Sequence, residues 1–277
     1  MLEINNVSKI FSKFKAVNEF TYKFDNGVYA LLGPNGAGKS TLLRCITNLY
    51  SLTSGKITFD GIDIKDNKDF SSNIGYLPQS FGLFRELKVY EGLELIANIK
   101  NFQNYNIDKV LELVNLEEKR MSKIGSLSGG MVRRLGIAQA IMGDPKVVIF
   151  DEPTAGLDPE ERLRFKNIVN KIKNDKLIII STHIVDDVEA LCDKIVIMNA
   201  GSVVSSGSCE DIKNIASGKI YVVETDKINK INSDYHIIQQ FEENGIKLTK
   251  ILSDNDQKLK KVSPTLEDGY VCALRNI

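Results

Sequence analysis

Hydrophobic and polar positions change rhythm several times along the 277 residues, and each rhythm predicts a different element. Over residues 2–25, the alternation in Leu2-Glu3-Ile4 and in Phe20-Thr21-Tyr22-Lys23-Phe24 predicts two half-buried strands around a turn. Continuous apolar runs at 28–32, 147–150 and 177–180 predict buried strands instead, and the second fits a central parallel strand covered on both faces. From about 85 to 142 the spacing shifts to three and four residues, over 89–99 and 107–116, so a helical block interrupts the strands. It closes with a helix that starts at Ser128 and carries Val132, Leu135, Ala138 and Met142 on one face. Residues 55–59 and 73–77 read as short strands, and 194–198 with 202–205 as a hairpin about Ala200-Gly201. In the tail, 219–224 and 246–252 read as strands. Ser263-Pro264 reads as the cap and first residue of a helix, with Leu266, Tyr270 and Leu274 on one face. The expected organisation is an α/β domain over 1–215 and a small α+β extension over 216–277.

Composition narrows the picture modestly. Lys+Arg and Asp+Glu both number 36, so net charge offers no general attraction to a phosphodiester backbone. The four cysteines (Cys45, Cys192, Cys209, Cys272) lack a C-x-x-C pair and predict reduced thiols in the cytosol, not a metal site. Met1 to Asn6 has neither the basic start nor the apolar core of a secretory signal. The longest apolar runs are strand-sized, well short of the ~20 residues that cross a bilayer, so any membrane association is expected through a partner.

The chemistry concentrates where strands end. Gly33-Pro34-Asn35-Gly36-Ala37-Gly38-Lys39-Ser40, followed by Thr41, has the G-x-x-x-x-G-K-S spacing of a phosphate-binding loop. It lies between the predicted strand 28–32 and a predicted helix over 41–46, which is the context that motif needs. Glycines let successive N–H groups turn toward an anion, and the helix start adds its positive dipole end. Lys39 is expected on the β- and γ-phosphates and Ser40 on magnesium. At the end of the 147–150 run, Asp151 suits magnesium and Glu152 suits orienting or deprotonating a water. Gln79, just past a strand, has an amide that suits a metal and a substrate water. His183 follows the 177–180 strand, within reach of a terminal phosphate. Phe11 reads two ways, as a ring packed on the sheet or as a stacking partner for a purine. Ser128, taken alone, reads as an ordinary helix N-cap ahead of Gly129 and Gly130.

In this order, the segments resemble the ATPase subunits of ATP-binding-cassette transporters across roughly residues 1–215. Gly33 to Thr41 resembles the Walker A loop, Gln79 the Q-loop, and Leu127-Ser128-Gly129-Gly130 the signature. Asp151 with Glu152 resembles Walker B and the catalytic glutamate, Ala155-Gly156-Leu157-Asp158 the D-loop, and His183 the switch histidine. The resemblance implies a P-loop NTPase with a RecA-like mixed-sheet core, an antiparallel β subdomain and an inserted helical subdomain. It implies ATP and Mg2+ as ligands, Phe11 on the base, and Ser128, Gly129 and Gly130 on the γ-phosphate of another subunit's nucleotide. Asp158 joins the nucleotide-binding set, and Ser40, Gln79 and Asp151 the metal set. Glu152, His183 and Gln79 form the catalytic set.

The family's signature continues with Gln, whereas Met131 stands here. Gly-Gly-Met followed by Arg133-Arg134 is similar to ATPases that serve exporter-type permeases, as is the tail Pro264-Thr265-Leu266-Glu267-Asp268. The implied partners are a separate transmembrane permease and an identical or related ATPase subunit, at the cytoplasmic face of the membrane. No nucleic-acid partner is expected. The alternatives are a soluble cassette ATPase acting on ribosomes or nucleic acid, and a regulatory module that binds ATP without useful hydrolysis. One Walker A motif and the short stretch from Gln79 to Ser128 weigh against the former, and intact Glu152 and His183 against the latter.

Overall fold

The computed structural model describes residues 1–103, 105–231, 234–255 and 259–275. The chain divides into two compact units, Met1–Val203 and Val204–Ile277, a boundary earlier than the sequence suggests because the helix over 209–215 packs within the second unit.

The first unit opens with β1 (Leu2–Phe11) and β2 (Phe14–Phe24), an antiparallel hairpin. β3 (Gly27–Leu32) then leads through the glycine loop into α1 (Lys39–Ile46). β4 (Ser54–Phe59) and β5 (Ile62–Asp63) turn about Asp60-Gly61, both at positive φ (49° and 81°), the primed turn that suits strands of right-handed twist. β4 adds to β1, giving an antiparallel sheet of order β2-β1-β4-β5.

After α2 (Phe70–Asn73) and β6 (Ile74–Leu77) comes the helical block: α3 (Val89–Ile99), α4 (Ile107–Leu113) and α5 (Gly129–Ile141). The remainder is β7 (Val147–Asp151), α6 (Pro159–Ile172), β8 (Leu177–Thr182), α7 (Val185–Glu189) and β9 (Lys194–Asn199), followed by β10 (Ser202–Gly207), within which the unit boundary falls.

The second sheet has the order β10-β9-β3-β8-β7-β6, with β9, β3, β8, β7 and β6 running parallel. Its continuous apolar runs feed two cores at once. Val148, Phe150, Ile178 and Ile180 point into the core under the helical block, whereas Val147, Ile149, Leu177 and Ile179 join α1 and the antiparallel sheet. Successive side chains of a strand face opposite ways, so a strand with a core on each side needs no polar positions. The sheet's position also explains α5, which is buried all round from Arg134 to Ile141 and does not present the single apolar face expected from its spacing.

The second unit holds α8 (Cys209–Ile215), β11 (Ile220–Glu224), β12 (His236–Glu243), β13 (Ile246–Leu252), β14 (Lys260–Lys261) and α9 (Leu266–Arg275). The strands form an antiparallel sheet of order β12-β13-β11-β14. β12 was not foreseen: a register shift between Ile237 and Gln239 breaks its alternation, and most of its side chains are exposed. α9 also departs from expectation at its start and its face. Thr265 caps it, its Oγ1 accepting from Asp268 N (3.3 Å) while Asp268 Oδ2 accepts from Thr265 N (2.7 Å). Its buried face runs through Leu266, Gly269, Cys272 and Ala273. A Cβ on Gly269 would lie 1.9 Å from the Ile212 carbonyl oxygen, so the bare residue lets α9 lie directly against α8 and fixes which face turns inward.

Candidate active site

β3, β8 and β7 are neighbours in parallel register, with Ala30 opposite Ile180 and Phe150 opposite Ile180. Their carboxyl ends therefore arrive together, where open α/β sheets hold ligands. From these ends project the glycine loop, His183, and the pair Asp151 and Glu152.

The loop's backbone is set by close approach. Gly38 has φ 99°, and a Cβ there would lie 2.1 Å from the Ala16 carbonyl oxygen; one on Gly33 would lie 2.2 Å from that of Met198. Gly38 also starts α1 with no side-chain cap, which leaves the first amides of the helix available to an anion. A cavity of about 250 Å³ opens over the loop, lined by Phe14, Ala16, Asn35 to Thr41, Gln79 and Glu152. A larger cavity, about 540 Å³, lies beside α4 away from these groups and gathers no comparable chemistry.

Lys39 is buried and donates to the carbonyls of Gly33 (2.7 Å) and Pro34 (3.2 Å), with its Nζ 3.5 Å from Glu152 Oε1. Burial lowers the Lys39 pKa, and the neighbouring Glu152 charge opposes that shift. The other Glu152 oxygen, Oε2, lies 2.9 Å from His183 Nδ1. Glu152 itself sits at φ 49°, a left-handed conformation that costs about 1–3 kcal/mol and persists only where the surroundings enforce it. Here its N–H donates to both the carbonyl (3.1 Å) and the hydroxyl (2.9 Å) of Ser181.

Asp151 is fully buried and accepts three hydroxyl donors: Ser181 (2.6 Å) and Ser40 (3.0 Å) on Oδ1, and Tyr76 (3.4 Å) on Oδ2. Burial, helped by the Asp151 charge, pushes the Tyr76 phenol up to about 12, so it remains a donor. Among the described residues no cluster of three or more His, Cys, Asp or Glu could hold a metal. Ser40 Oγ and Asp151 Oδ1 nevertheless provide two hard oxygen donors at one point. That set suits Mg2+, which takes few protein ligands and fills its shell with phosphates and water.

The structure thus groups Lys39 and His183 about Glu152, pairs Ser40 with the adjacent Asp151, and places Gln79 on the cavity wall. Phe11 is not among the cavity-lining residues. Its ring stands edge-on to Tyr50 (centroids 5.5 Å apart) with Lys9 Nζ 5.0 Å above it, while the exposed Phe14 across the hairpin lines the cavity. Ser128, Gly129 and Gly130 also lie outside the lining. Ser128 Oγ accepts from Met131 N (3.3 Å), and Gly129 has open space where a side chain would be. Asp158 caps α6, accepting from Glu161 N at 2.8 Å.

Sequence reasoning missed Ser181, Tyr76 and above all Arg133. From α5, the Arg133 guanidinium donates to five main-chain carbonyls: Pro78 (3.2 Å), Gln79 (2.9 Å), Asp151 (3.1 Å), Pro153 (3.0 Å) and Glu152. Burial lowers its pKa against the attraction of Asp151 and Glu152. The available signal was two adjacent arginines opening an otherwise apolar helix, a poor pattern for a solvated face.

Fold and site together define a P-loop nucleoside triphosphatase. A family model described as "ABC transporter" matches residues 18–155. ABC transporter A family member 8 of Dictyostelium discoideum is 37% identical over 76% of this chain, which spans 27% of that protein. The linearmycin resistance ATP-binding protein LnrL of Bacillus subtilis is 35% identical over 76% of the chain and 70% of its own length. The methionine import ATP-binding protein MetN of Clostridium acetobutylicum gives the same three figures, 35%, 76% and 70%. A solved ATP-binding subunit of an ABC transporter superposes with a TM-score of 0.70 at 29% identity, covering 77% of this chain and 92% of that one. The chain belongs to the ABC transporter ATP-binding family, whose cassettes hydrolyse ATP.

Proposed function

We propose that this chain binds Mg·ATP over the glycine loop and hydrolyses it to drive a solute out of the cell through a separate membrane permease. The observation that carries the catalytic part is the Glu152 carboxylate, held between Lys39 Nζ at 3.5 Å and His183 Nδ1 at 2.9 Å. Lys39 binds the β- and γ-phosphate oxygens. Glu152 takes a proton from water as the water oxygen bonds to the γ-phosphorus; the bond to the bridging oxygen breaks, leaving ADP and phosphate. His183 orients Glu152 and the γ-phosphate, and Gln79 orients the water. Ser40 and Asp151 would hold Mg2+, which neutralises phosphate charge when bound.

Two subunits enclose two nucleotides head to tail. The support is that Ser128, Gly129 and Gly130 are accessible at the start of α5 yet do not line their own chain's cavity. Such a helix start suits a partner's γ-phosphate. No helix among the described residues is long and apolar enough to cross a membrane, and the permease supplies the crossing. Export rests on the Gly-Gly-Met-Val-Arg-Arg sequence and on the likeness to the linearmycin resistance protein; the equal likeness to a methionine importer makes import the competing outcome. The test is purification of a Glu152→Gln bait from membranes solubilised with ATP to identify the permease, then flux measurement in vesicles that hold this permease together with the parent ATPase. A multi-helix protein in stoichiometric amount and outward flux are expected. Inward flux refutes export, and recovery of ribosomes or nucleic acid alone refutes transport.

A further inference from the structure

Arg133 has no assigned role at the nucleotide site, yet it spends all three guanidinium nitrogens on the backbone around the catalytic carboxylate. Nε donates to Pro153 O, Nη1 to Pro78 O and Gln79 O, and Nη2 to Asp151 O and Glu152 O. These acceptors lie at or just past the ends of β6 and β7, adjacent strands in which Leu77 pairs with Phe150. Glu152 sits between them at φ 49°, its N–H held by Ser181 and its carbonyl by Arg133. The peptide units on both sides of its Cα are therefore fixed from different elements, β8 and α5. Only a planar fork with several donors reaches five carbonyls at once; an ammonium is a point charge with three donors.

From this geometry we infer that Arg133 is a positioning residue for hydrolysis, holding Glu152 and Gln79 in place through their main chain from the helix that begins at Gly129. A shift at the start of α5, where Ser128 and Gly129 stand exposed, is thereby delivered to the chain's own water-activating groups through Arg133, four residues along the helix from Gly129. This rests on the reading of Glu152 as the proton acceptor, and the experiment separates the two.

The experiment measures kcat and KM for Mg·ATP in the full-length Arg133→Ala and Arg133→Lys variants, each also combined with Glu152→Gln. Misplacing a reacting group by about an ångström costs roughly 100-fold in rate, so Arg133→Ala is expected to lose about 100-fold in kcat with KM within threefold. Arg133→Lys, which keeps charge and bulk, is expected to fall between and to melt like the parent. In the Glu152→Gln background, removing Arg133 is expected to cause only a small further loss, under about tenfold, from displacement of Gln79. A kcat within threefold of the parent for Arg133→Lys and Arg133→Ala overturns the inference. So does a rise in KM as large as the fall in kcat, or a full additional loss in the Glu152→Gln background. Parental turnover in Glu152→Gln alone removes Glu152 from its role, and the kcat of the single Arg133 variants then reports on Gln79 placement by itself.

Discussion

Replacing Glu152 with Gln removes one charge and one proton acceptor while keeping the side chain's shape. Loss of a general base lowers turnover by about 10²–10⁴, equivalent to about 2.7–5.5 kcal/mol of barrier. The structure sets what else should change. Lys39 retains the carbonyls of Gly33 at 2.7 Å and Pro34 at 3.2 Å, so its grip on phosphate survives. Breaking a buried ion pair by deleting one partner costs about 3–5 kcal/mol, but a Gln amide oxygen still accepts from Lys39 and its NH2 group donates to the neutral His183 Nδ1, so the fold should lose less. Removing a carboxylate beside the phosphates also lowers repulsion, so the nucleotide should bind as tightly as before or tighter. Phosphate release over hours measures turnover, titration with a fluorescent ATP analogue measures affinity, and gel filtration with ATP measures dimers. The expected result is turnover down by at least 100-fold, affinity retained and dimers accumulating. Turnover within threefold of the parent would refute the assignment of Glu152, whatever the affinity.

Two further outcomes test other parts of the structure. Asp268 is fully buried and pairs with the largely buried Lys250 at 2.5 Å, so Asp268→Ala leaves a largely buried ammonium unpaired and should destabilise the second unit by about 2–4 kcal/mol in urea unfolding of the whole chain, with turnover unchanged; a shift under 1 kcal/mol counts against the pair. Phe14→Ala should weaken ATP binding by about 0.5–1.5 kcal/mol and Phe11→Ala by less, because Phe14 lines the cavity and Phe11 rests on Tyr50. The opposite order in a nucleotide titration returns the base to Phe11.

Elements whose residues obey a local rule were legible in the sequence. Apolar runs marked β3, β7 and β8, turn residues marked the hairpin at Ala200-Gly201, and Pro159 marked the start of α6. What escaped depends on neighbours distant in the chain. The inward face of α9 is chosen by Ile212 against Gly269, and α5 is buried all round because the sheet, α3 and α4 enclose it. At the site, the phosphate loop and the acids at the end of β7 stand out as spacing patterns. Ser181, Tyr76 and Arg133 do not, because their contacts are made only when three strand ends and a helix meet.

Because Arg133 grips carbonyls and no side chain, its hold is indifferent to which residues occupy positions 78, 79, 152 and 153. Exchanging Gln79 or Glu152 therefore alters chemistry without releasing the scaffold beneath it, so kinetic defects at those two positions can be read as chemical effects. The same indifference gives the centre evolutionary latitude: side chains above the clamp can be retuned for a faster or slower ATPase while the frame that aims them stays put.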